Sequence, residues 1–399
     1  MSGAGTPAPR RSSLPLHLAV ALDGAGWHPA AWREPDARPT ELFTAGYWVD
    51  QVREAEAGLL DFVTIEDAVG LQTSGFGPPD DRVDEVRGRL DAVLIAARVA
   101  PLTRHVGLVP TATVTHTEPF HLSKAIATLD YVSTGRAGVR VQVSARAHEA
   151  AHFGRRTIPP FDGDVEAFRD LFDEAADYVE VLRRLWDSWE DDAEIRDAAT
   201  GRFVDREKLH YIDFEGRFFS VKGPSITPRP PQGQPLVTAL AHATIPYRLG
   251  ARSADVVYVT PTDAESARAI IDEIRAEQEA AGRASEPLHV FGDLVVFLGD
   301  DAAERKARLD ERAEFTSDAH VFTGTPAGLA DLLLDWQRAG LTGFRLRPGS
   351  VPTDLTAITR GLVPELQRRD AFRTQYEAGT LRGRLGLARP ANRYAKAAS

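Results

Sequence analysis

Short apolar runs alternate with amphipathic segments along most of this 399-residue chain. Eight apolar runs have the length and composition of buried strands. They are residues 14–22, 61–65, 106–110, 139–144, 236–240, 256–259, 290–298 and 343–346. Segments with apolar residues at helical spacing lie between them, among them 40–57, 90–99, 118–131 and 164–189. Strands that alternate with helices form parallel sheets, and eight of them predict a (β/α)8 TIM barrel rather than an open sheet.

The region from His105 to Ser144 is the clearest single unit of this pattern. A strand is followed by a turn rich in threonine, a helix that begins beside a proline, a glycine turn and a second strand. Ligands of such folds bind at the carboxyl ends of the strands. The threonines after the first strand are therefore candidate site residues, namely Thr111, Thr113, Thr115 and Thr117.

The regular pattern breaks over residues 191–234, which are polar and contain short aromatic runs and a proline-rich exit. We expect this segment to be an insertion before strand five. It could cover the barrel mouth as a lid, or it could be a structural or subunit-contact loop. Residues 1–13 are predicted to be a disordered leader, and 14–399 a single domain. Residues 372–399 are its C-terminal tail, and the arginine-rich stretch 360–393 is predicted to wrap the surface or to contact another subunit.

Composition excludes several classes of function. Lys and Arg number 47 against 58 Asp and Glu, a net charge of −11, which disfavours general binding to nucleic acid. The absence of cysteine excludes disulfides, thiolate catalysis and thiolate-bound metals. We find no run long enough to span a bilayer and no secretory signal, so no membrane partner is expected and a cytoplasmic location is predicted.

Several short phrases occur in an order that a known family shares. They include HPAAW at 28–32, EPFHL at 118–122, STGRAG at 133–138 and LWDSW at 185–189. In these phrases the chain resembles the bacterial-luciferase-like flavin monooxygenases, in the branch that contains nitrilotriacetate, EDTA and dibenzothiophene-sulfone monooxygenases. The resemblance covers nearly the whole chain after residue 16.

The resemblance implies a barrel that binds FMN at its mouth and receives it in the reduced form, FMNH2, from a separate flavin reductase. Molecular oxygen and a small organic compound would be the substrates, and the protein would be a homodimer or homotetramer. Two alternatives stay open. The same barrel could transfer hydride with FMN or a deazaflavin, or it could have lost flavin and act as a binding or structural protein.

By the same resemblance, three residues at strand ends would contact the cofactor. Asp67 follows the second strand, Thr113 follows the third, and Ser144 ends the fourth. Each is also a residue type that commonly caps helices or forms turns, so a local structural role is the alternative.

The chain departs from the family after the STGRAG phrase, where Arg140 replaces an asparagine. We predict that Arg140 is a cofactor ligand. Arg140 lies between Val139 and Val141 and points oppositely to them, so its charge is either in the barrel or against the helices. If Arg140, Gln142 and Ser144 share the inward face, they form a polar ladder in the barrel lumen. Other arginines could add positive charge for a phosphate, namely Arg146, Arg155 and Arg156.

The region expected to bind phosphate also departs from the family. The family's Gln-Ala-Gly-x-Ser turn is replaced by residues 239–243, without glycine, and a His and a Tyr are replaced by Phe168 and Phe172. His242 and Thr244 remain as candidate cofactor ligands in this turn.

Histidines supply the remaining candidates. His116 lies in the turn after the third strand and is a candidate for handling protons, because imidazole titrates near neutral pH; an ordinary loop histidine is the alternative. His152 could contact substrate. His148 and His152 also form the string HEAAH, a possible zinc motif. Gly154 and Arg155 follow at once and leave no long helix to carry it, so we predict no metal.

Overall fold

The computed structural model describes residues 15–73, 80–158 and 165–395. The strands in this part of the chain are β1 (His17–Leu22), β2 (Phe62–Ile65), β3 (Gly107–Thr113), β4 (Gly138–Gln142), β5 (Glu194–Asp197), β6 (Arg202–Val204), β7 (Phe214–Glu215), β8 (Ser220–Val221), β9 (Leu236–Leu240), β10 (Val256–Val259), β11 (His289–Leu298), β12 (His320–Gly324) and β13 (Gly343–Pro348). The helices are α1 (Ala45–Ala57), α2 (Ala92–Val99), α3 (Pro119–Val132), α4 (Ala147–Phe153), α5 (Val165–Asp187), α6 (Thr244–Ser253), α7 (Ala264–Ala280), α8 (Ala302–Asp310), α9 (Pro326–Arg338), α10 (Thr353–Ala357), α11 (Val363–Arg368) and α12 (Leu381–Arg384).

Eight parallel strands close into a barrel. Their order is β1, β2, β3, β4, β9, β10, β11 and β13, and β13 pairs back onto β1. These are the eight strands predicted from the apolar runs, so the (β/α)8 barrel is confirmed. A ninth strand of the sheet, β12, pairs with the second half of β11 and was not predicted. All five of its residues are only partly buried, so it lacks the apolar run that marked the others.

The third strand is longer than predicted. β3 continues through Thr111 and Thr113, which pair with Arg140 and Gln142 of β4. The prediction that these threonines form a turn is wrong, because the β-branched threonine side chain packs well on a pleated strand. The fourth strand is shorter than predicted and ends at Gln142, which leaves Ser144 in the loop before α4.

The insertion leaves the barrel between α5 and β9 and forms two small antiparallel sheets, β5–β6 and β7–β8. Ile212 and Phe214 pack against Val181 and Leu185 of α5. The insertion is therefore anchored along the outer side of a barrel helix.

The arginine-rich tail closes the amino-terminal end of the barrel. Leu381 and Leu385 pack in one apolar cluster with Phe62 and Phe291 from the barrel strands. Arg373 donates a 2.6 Å hydrogen bond to the fully buried Asp61. These described tail residues are thus structural at that end of the barrel. In the part of the chain described, no helix is long and apolar enough to cross a bilayer.

Candidate functional site

A network of buried charges fills the barrel lumen. We call Glu66, Arg140, Asp293, Arg345 and Arg347 the lumen network; each has at most 8% of its side chain exposed. Arg345 donates two 2.9 Å hydrogen bonds to Asp293 and one of 3.1 Å to Glu66. Arg140 pairs with the other oxygen of Glu66, and Arg347 donates to Asp293 at 2.9 Å.

Strand register brings these charges together. Asp293 of β11 lies opposite Arg345 of β13, and Arg347 is two positions further along the same strand and face. Burial alone would raise the pKa values of Glu66 and Asp293, but the neighbouring guanidinium groups lower both below their usual range. Both carboxylates are therefore ionised at neutral pH, and each balances more than one arginine.

The network continues to the rim of the barrel. Arg347 donates a 2.7 Å hydrogen bond to Asp318, which is 38% exposed. Asp318 in turn lies 3.1 Å from Nε2 of His242, and Nδ1 of His242 lies 3.1 Å from the Thr260 hydroxyl. Burial, together with Arg347, lowers the pKa of His242. His242, a predicted cofactor ligand, thus lies at the mouth of the barrel in contact with the carboxylate of Asp318.

Two threonines of β3 differ in their partners. Thr111 accepts a 2.9 Å hydrogen bond from Nε of Arg140, whereas Oγ1 of Thr113 is buried and has no hydrogen-bond partner among the described residues. An unpaired buried hydroxyl is unfavourable, by about 1–3 kcal/mol, unless a ligand pairs with it. Thr113 is therefore the predicted site residue whose environment most favours a ligand contact.

A cavity of about 320 Å³ opens at the carboxyl face of the barrel. Its walls come from the segments after β1, β2 and β4, from the segment before β12 and from the end of β13. Trp27, Trp32 and Phe315 line it, and the guanidinium of Arg347 lies 4.4 Å from the centre of the Trp27 ring. None of its lining residues belongs to the insertion, whereas Phe218 and Phe219 of the insertion line a second cavity beside His116, so the lid role stays a prediction.

Asp67 makes local hydrogen bonds of the kind expected from its structural alternative, and its contact with the cofactor stays a prediction. Its carboxylate accepts hydrogen bonds from the backbone N–H groups of Ala92, at the start of α2, and Ala68, at 2.9 and 2.8 Å. Burial raises the pKa of Asp67. The neighbouring Glu66, which the sequence did not single out, points into the lumen instead.

Ser144 is not part of the polar ladder. Its hydroxyl donates a 2.6 Å hydrogen bond to Glu149, while Arg140 and Gln142 do share a face and lie 3.0 Å apart. The ladder prediction is therefore correct for two of its three members. It fails at Ser144 because β4 ends before that residue.

Thr244, on the outer rim, donates a 2.6 Å hydrogen bond to Glu273 of α7.

A second cavity, of about 310 Å³, lies beside His116. The His116 ring stacks on Phe153 with ring centres 5.2 Å apart, and its Nε2 is buried without a hydrogen-bond partner among the described residues. Burial, followed by the charge of Arg156, lowers the pKa of His116. His116 is therefore largely neutral at pH 7 and could accept a proton.

The HEAAH string forms the short helix α4. His152 is exposed, whereas Nε2 of His148 is buried close to Gly70. The motif's Glu149 is engaged by Ser144 and Arg146. Among residues 15–73, 80–158 and 165–395, no three side chains of the types that bind metals are grouped to hold an ion.

Four members of the lumen network were missed by sequence reasoning, namely Glu66, Asp293, Arg345 and Arg347. A signal was available for two of them. Arg345 and Arg347 alternate with apolar residues in a strand that is otherwise buried, so both had to point into one face of the barrel. A closed barrel with buried charges and a cavity at its carboxyl face is the arrangement of an enzyme.

Comparison with known proteins gives the class of enzyme. Residues 26–343 match the family described as luciferase-like monooxygenase. The chain is 30% identical to nitrilotriacetate monooxygenase component A of Aminobacter aminovorans, over 96% of this chain and 98% of that protein. It is 26% identical to dibenzothiophene-sulfone monooxygenase of Rhodococcus erythropolis, over 90% and 93% of the two chains. A crystal structure of riboflavin lyase with modified FMN and riboflavin superposes with a TM-score of 0.83 at 25% identity, over 95% and 97%.

The chain therefore belongs to the luciferase-like monooxygenase family, which confirms the predicted resemblance and its branch. It is a flavin-dependent monooxygenase.

Proposed function

We propose that this chain is the oxygenase of a two-component system. It takes reduced FMN from a separate flavin reductase and uses molecular oxygen to oxidise a small organic compound. The observation that carries the proposal is the cavity of about 320 Å³ at the carboxyl face, with its aromatic walls and its floor of paired charges.

The barrel beneath this cavity is suited to keep water from the reaction. Apolar side chains of the tail close the amino-terminal end, and the lumen network fills the interior. Oxygen activation by flavin requires such exclusion, since water and stray protons discharge the reactive species without oxidising substrate. Each member of the lumen network is held by an ion-pair partner among the described residues.

The residues at the mouth fit the ring system of a flavin. The hydroxyl of Thr113, which has no partner among the described residues, can donate a hydrogen bond to a ring carbonyl or nitrogen. Nε2 of His116 also has no partner there, but His116 lines the second cavity, of about 310 Å³, and neither residue lines the cavity of about 320 Å³. When bound, the reduced flavin supplies the two electrons that activate oxygen. Thr113 would orient the ring, and His116, neutral at pH 7, would accept or return a proton.

The relatives support each part of the proposal. The name of the Aminobacter protein, component A, implies a second component, which in this family is the source of reduced flavin. The riboflavin lyase structure was obtained with modified FMN, which supports FMN as the flavin. The named substrates are small organic compounds, and we propose a compound of that size here.

Oxygen labelling tests this function. The purified chain is incubated with NADH, FMN, a flavin reductase and a panel of small amines, sulfides and sulfones under ¹⁸O₂. We expect one labelled oxygen atom in a product, and none when the reductase is omitted. Substrate turnover without label would instead establish the hydride-transfer alternative.

A further inference from the structure

Every cationic side chain that was expected to hold the flavin phosphate is already paired with a carboxylate. The arginine pairs are Arg140 with Glu66, Arg146 with Glu149, Arg155 with Glu118 and Arg156 with Glu174. A phosphate needs cations or backbone N–H groups free to face it. A phosphate bound by one of these arginines would compete with the carboxylate that already neutralises its charge.

The side chains of the turn after β9 are no better suited to an anion. The hydroxyl of Thr244, the first residue of α6, donates to Glu273 at 2.6 Å, and His242 lies 3.1 Å from Asp318. A carboxylate therefore lies next to each of the two predicted phosphate ligands, Thr244 and His242. A phosphate dianion at this position would meet like charges, which raises its free energy. Burial also lowers the pKa of His242, so its ring adds little positive charge at neutral pH.

Helix α5 has no hydrogen-bond donor at positions 168 and 172, where a His and a Tyr were expected. Phe168 and Phe172 of α5 pack together with ring centres 4.9 Å apart. α5 lies alongside α6, where Arg252 reaches Asp177 at 3.5 Å. A phenyl ring cannot donate a hydrogen bond to a phosphate, whereas the His and Tyr expected at these two positions could.

We infer that this enzyme binds its flavin without a side-chain anchor for the phosphate and therefore accepts reduced riboflavin as readily as reduced FMN. The inference rests on the proposed function, because it concerns the flavin that the oxygenase takes from its reductase. Binding energy then comes from the ring and the ribityl chain, which the two flavins share. The phosphate, which loses its hydration without gaining a cation, adds nothing to the affinity.

Anaerobic titration of the wild-type protein with each reduced flavin tests the inference. We expect dissociation constants for reduced riboflavin and reduced FMN within about threefold of each other. Tighter binding of FMN by about tenfold or more would overturn the inference and leave the proposed function standing. Binding of neither flavin would overturn both. The two ligands differ only in the phosphate, so each titration is the control for the other.

Removing the rim carboxylates should create a preference for FMN. Glu273→Gln and Asp318→Asn each take a negative charge from the turn after β9. We expect each to tighten FMN binding by about three- to tenfold while riboflavin binding is unchanged. Glu279→Gln removes the same charge from an exposed position later in α7 and should alter neither constant. An unchanged FMN-to-riboflavin ratio in Glu273→Gln would contradict the inference, and constant riboflavin affinity shows that the variant is folded.

Discussion

Arg345 and Asp293 are register partners on neighbouring barrel strands and form a two-pronged ion pair, with both side chains fully buried. Asp293 also binds Arg347, and Arg345 also binds Glu66, so one residue pair joins the two halves of the lumen network. The pair therefore determines both the stability of the barrel interior and the charge of the floor beneath the cavity.

Removing the Asp293 charge should destabilise the protein strongly. Asp293→Asn removes the carboxylate that neutralises the buried guanidinium groups of Arg345 and Arg347. Removing one partner of a buried ion pair lowers the free energy of unfolding by about 3–5 kcal/mol. Urea denaturation measures the change. Asp335→Asn, which removes an exposed partner of Arg338, should cost no more than about 1 kcal/mol. Equal effects of the two substitutions would contradict the importance of the buried pair.

Thr113→Val should weaken flavin binding without weakening the fold. The lost hydroxyl has no partner among the described residues, so we expect unfolding free energy to stay within about 0.5 kcal/mol of wild type or to increase. Flavin affinity should fall about five- to tenfold if one hydrogen bond is lost.

Thr111→Val is the matched control for Thr113→Val. Thr111 accepts a hydrogen bond from the buried Arg140, so its substitution should cost about 1–3 kcal/mol of stability. If Thr113→Val bound flavin as tightly as wild type, Thr113 would not contact the ring.

Stability at acidic pH should depend on Asp61 at the amino-terminal end of the barrel. Burial alone would raise the pKa of Asp61, but His17 and Arg373 lower it to about 2. A carboxyl group with a lowered pKa in the folded state stabilises that state above its unfolded pKa, about 4, and this contribution is lost as the pH falls towards 2.

The stability difference between wild type and Asp61→Asn should therefore be constant above about pH 5 and shrink as the pH falls below about 4. Urea denaturation at several pH values measures it. The stability difference between wild type and the control variant Asp335→Asn should stay small at every pH. A wild-type advantage that grew on acidification would contradict the lowered pKa.

Chelation should leave the protein unaffected. Since His152 is exposed and Glu149 is engaged by Ser144 and Arg146, the HEAAH string is not arranged to bind zinc. We expect the thermal midpoint to be the same with and without excess EDTA. A midpoint that fell on chelation in wild type, but not in His152→Ala, would establish a metal site.

The barrel could be predicted because each of its eight strands is an apolar run bounded by polar residues. β12 escaped prediction because it lies at the edge of the sheet, where partial burial leaves no continuous apolar signal. For the tail, the sequence left a surface wrap and a subunit contact open, and its leucines gave no sign that they would pack at the end of the barrel.

The site was harder to predict, because its charges come from strands distant in sequence. Alternation along β4 predicted that Arg140 points away from the faces of Val139 and Val141 but did not decide between the lumen and the helices, and its partner Glu66 lies 74 residues away. The sequence prediction chose Asp67, not Glu66, as the residue that faces the flavin. Neighbouring residues at a strand end point in opposite directions, so an error of one position selects the opposite face. The flavin contacts of Asp67, Thr113, Arg140, Ser144, His242 and Thr244 stay predictions, as do the roles of His116 and His152.

The central claim is that this barrel is a monooxygenase which takes up reduced flavin. Anaerobic titration of the purified protein with reduced and with oxidised FMN, followed by flavin absorbance and fluorescence, tests it most directly. We predict saturable binding of reduced FMN, tighter than that of oxidised FMN, and consumption of oxygen when air is admitted. Binding of neither form would contradict the account and would favour a barrel that has lost its flavin.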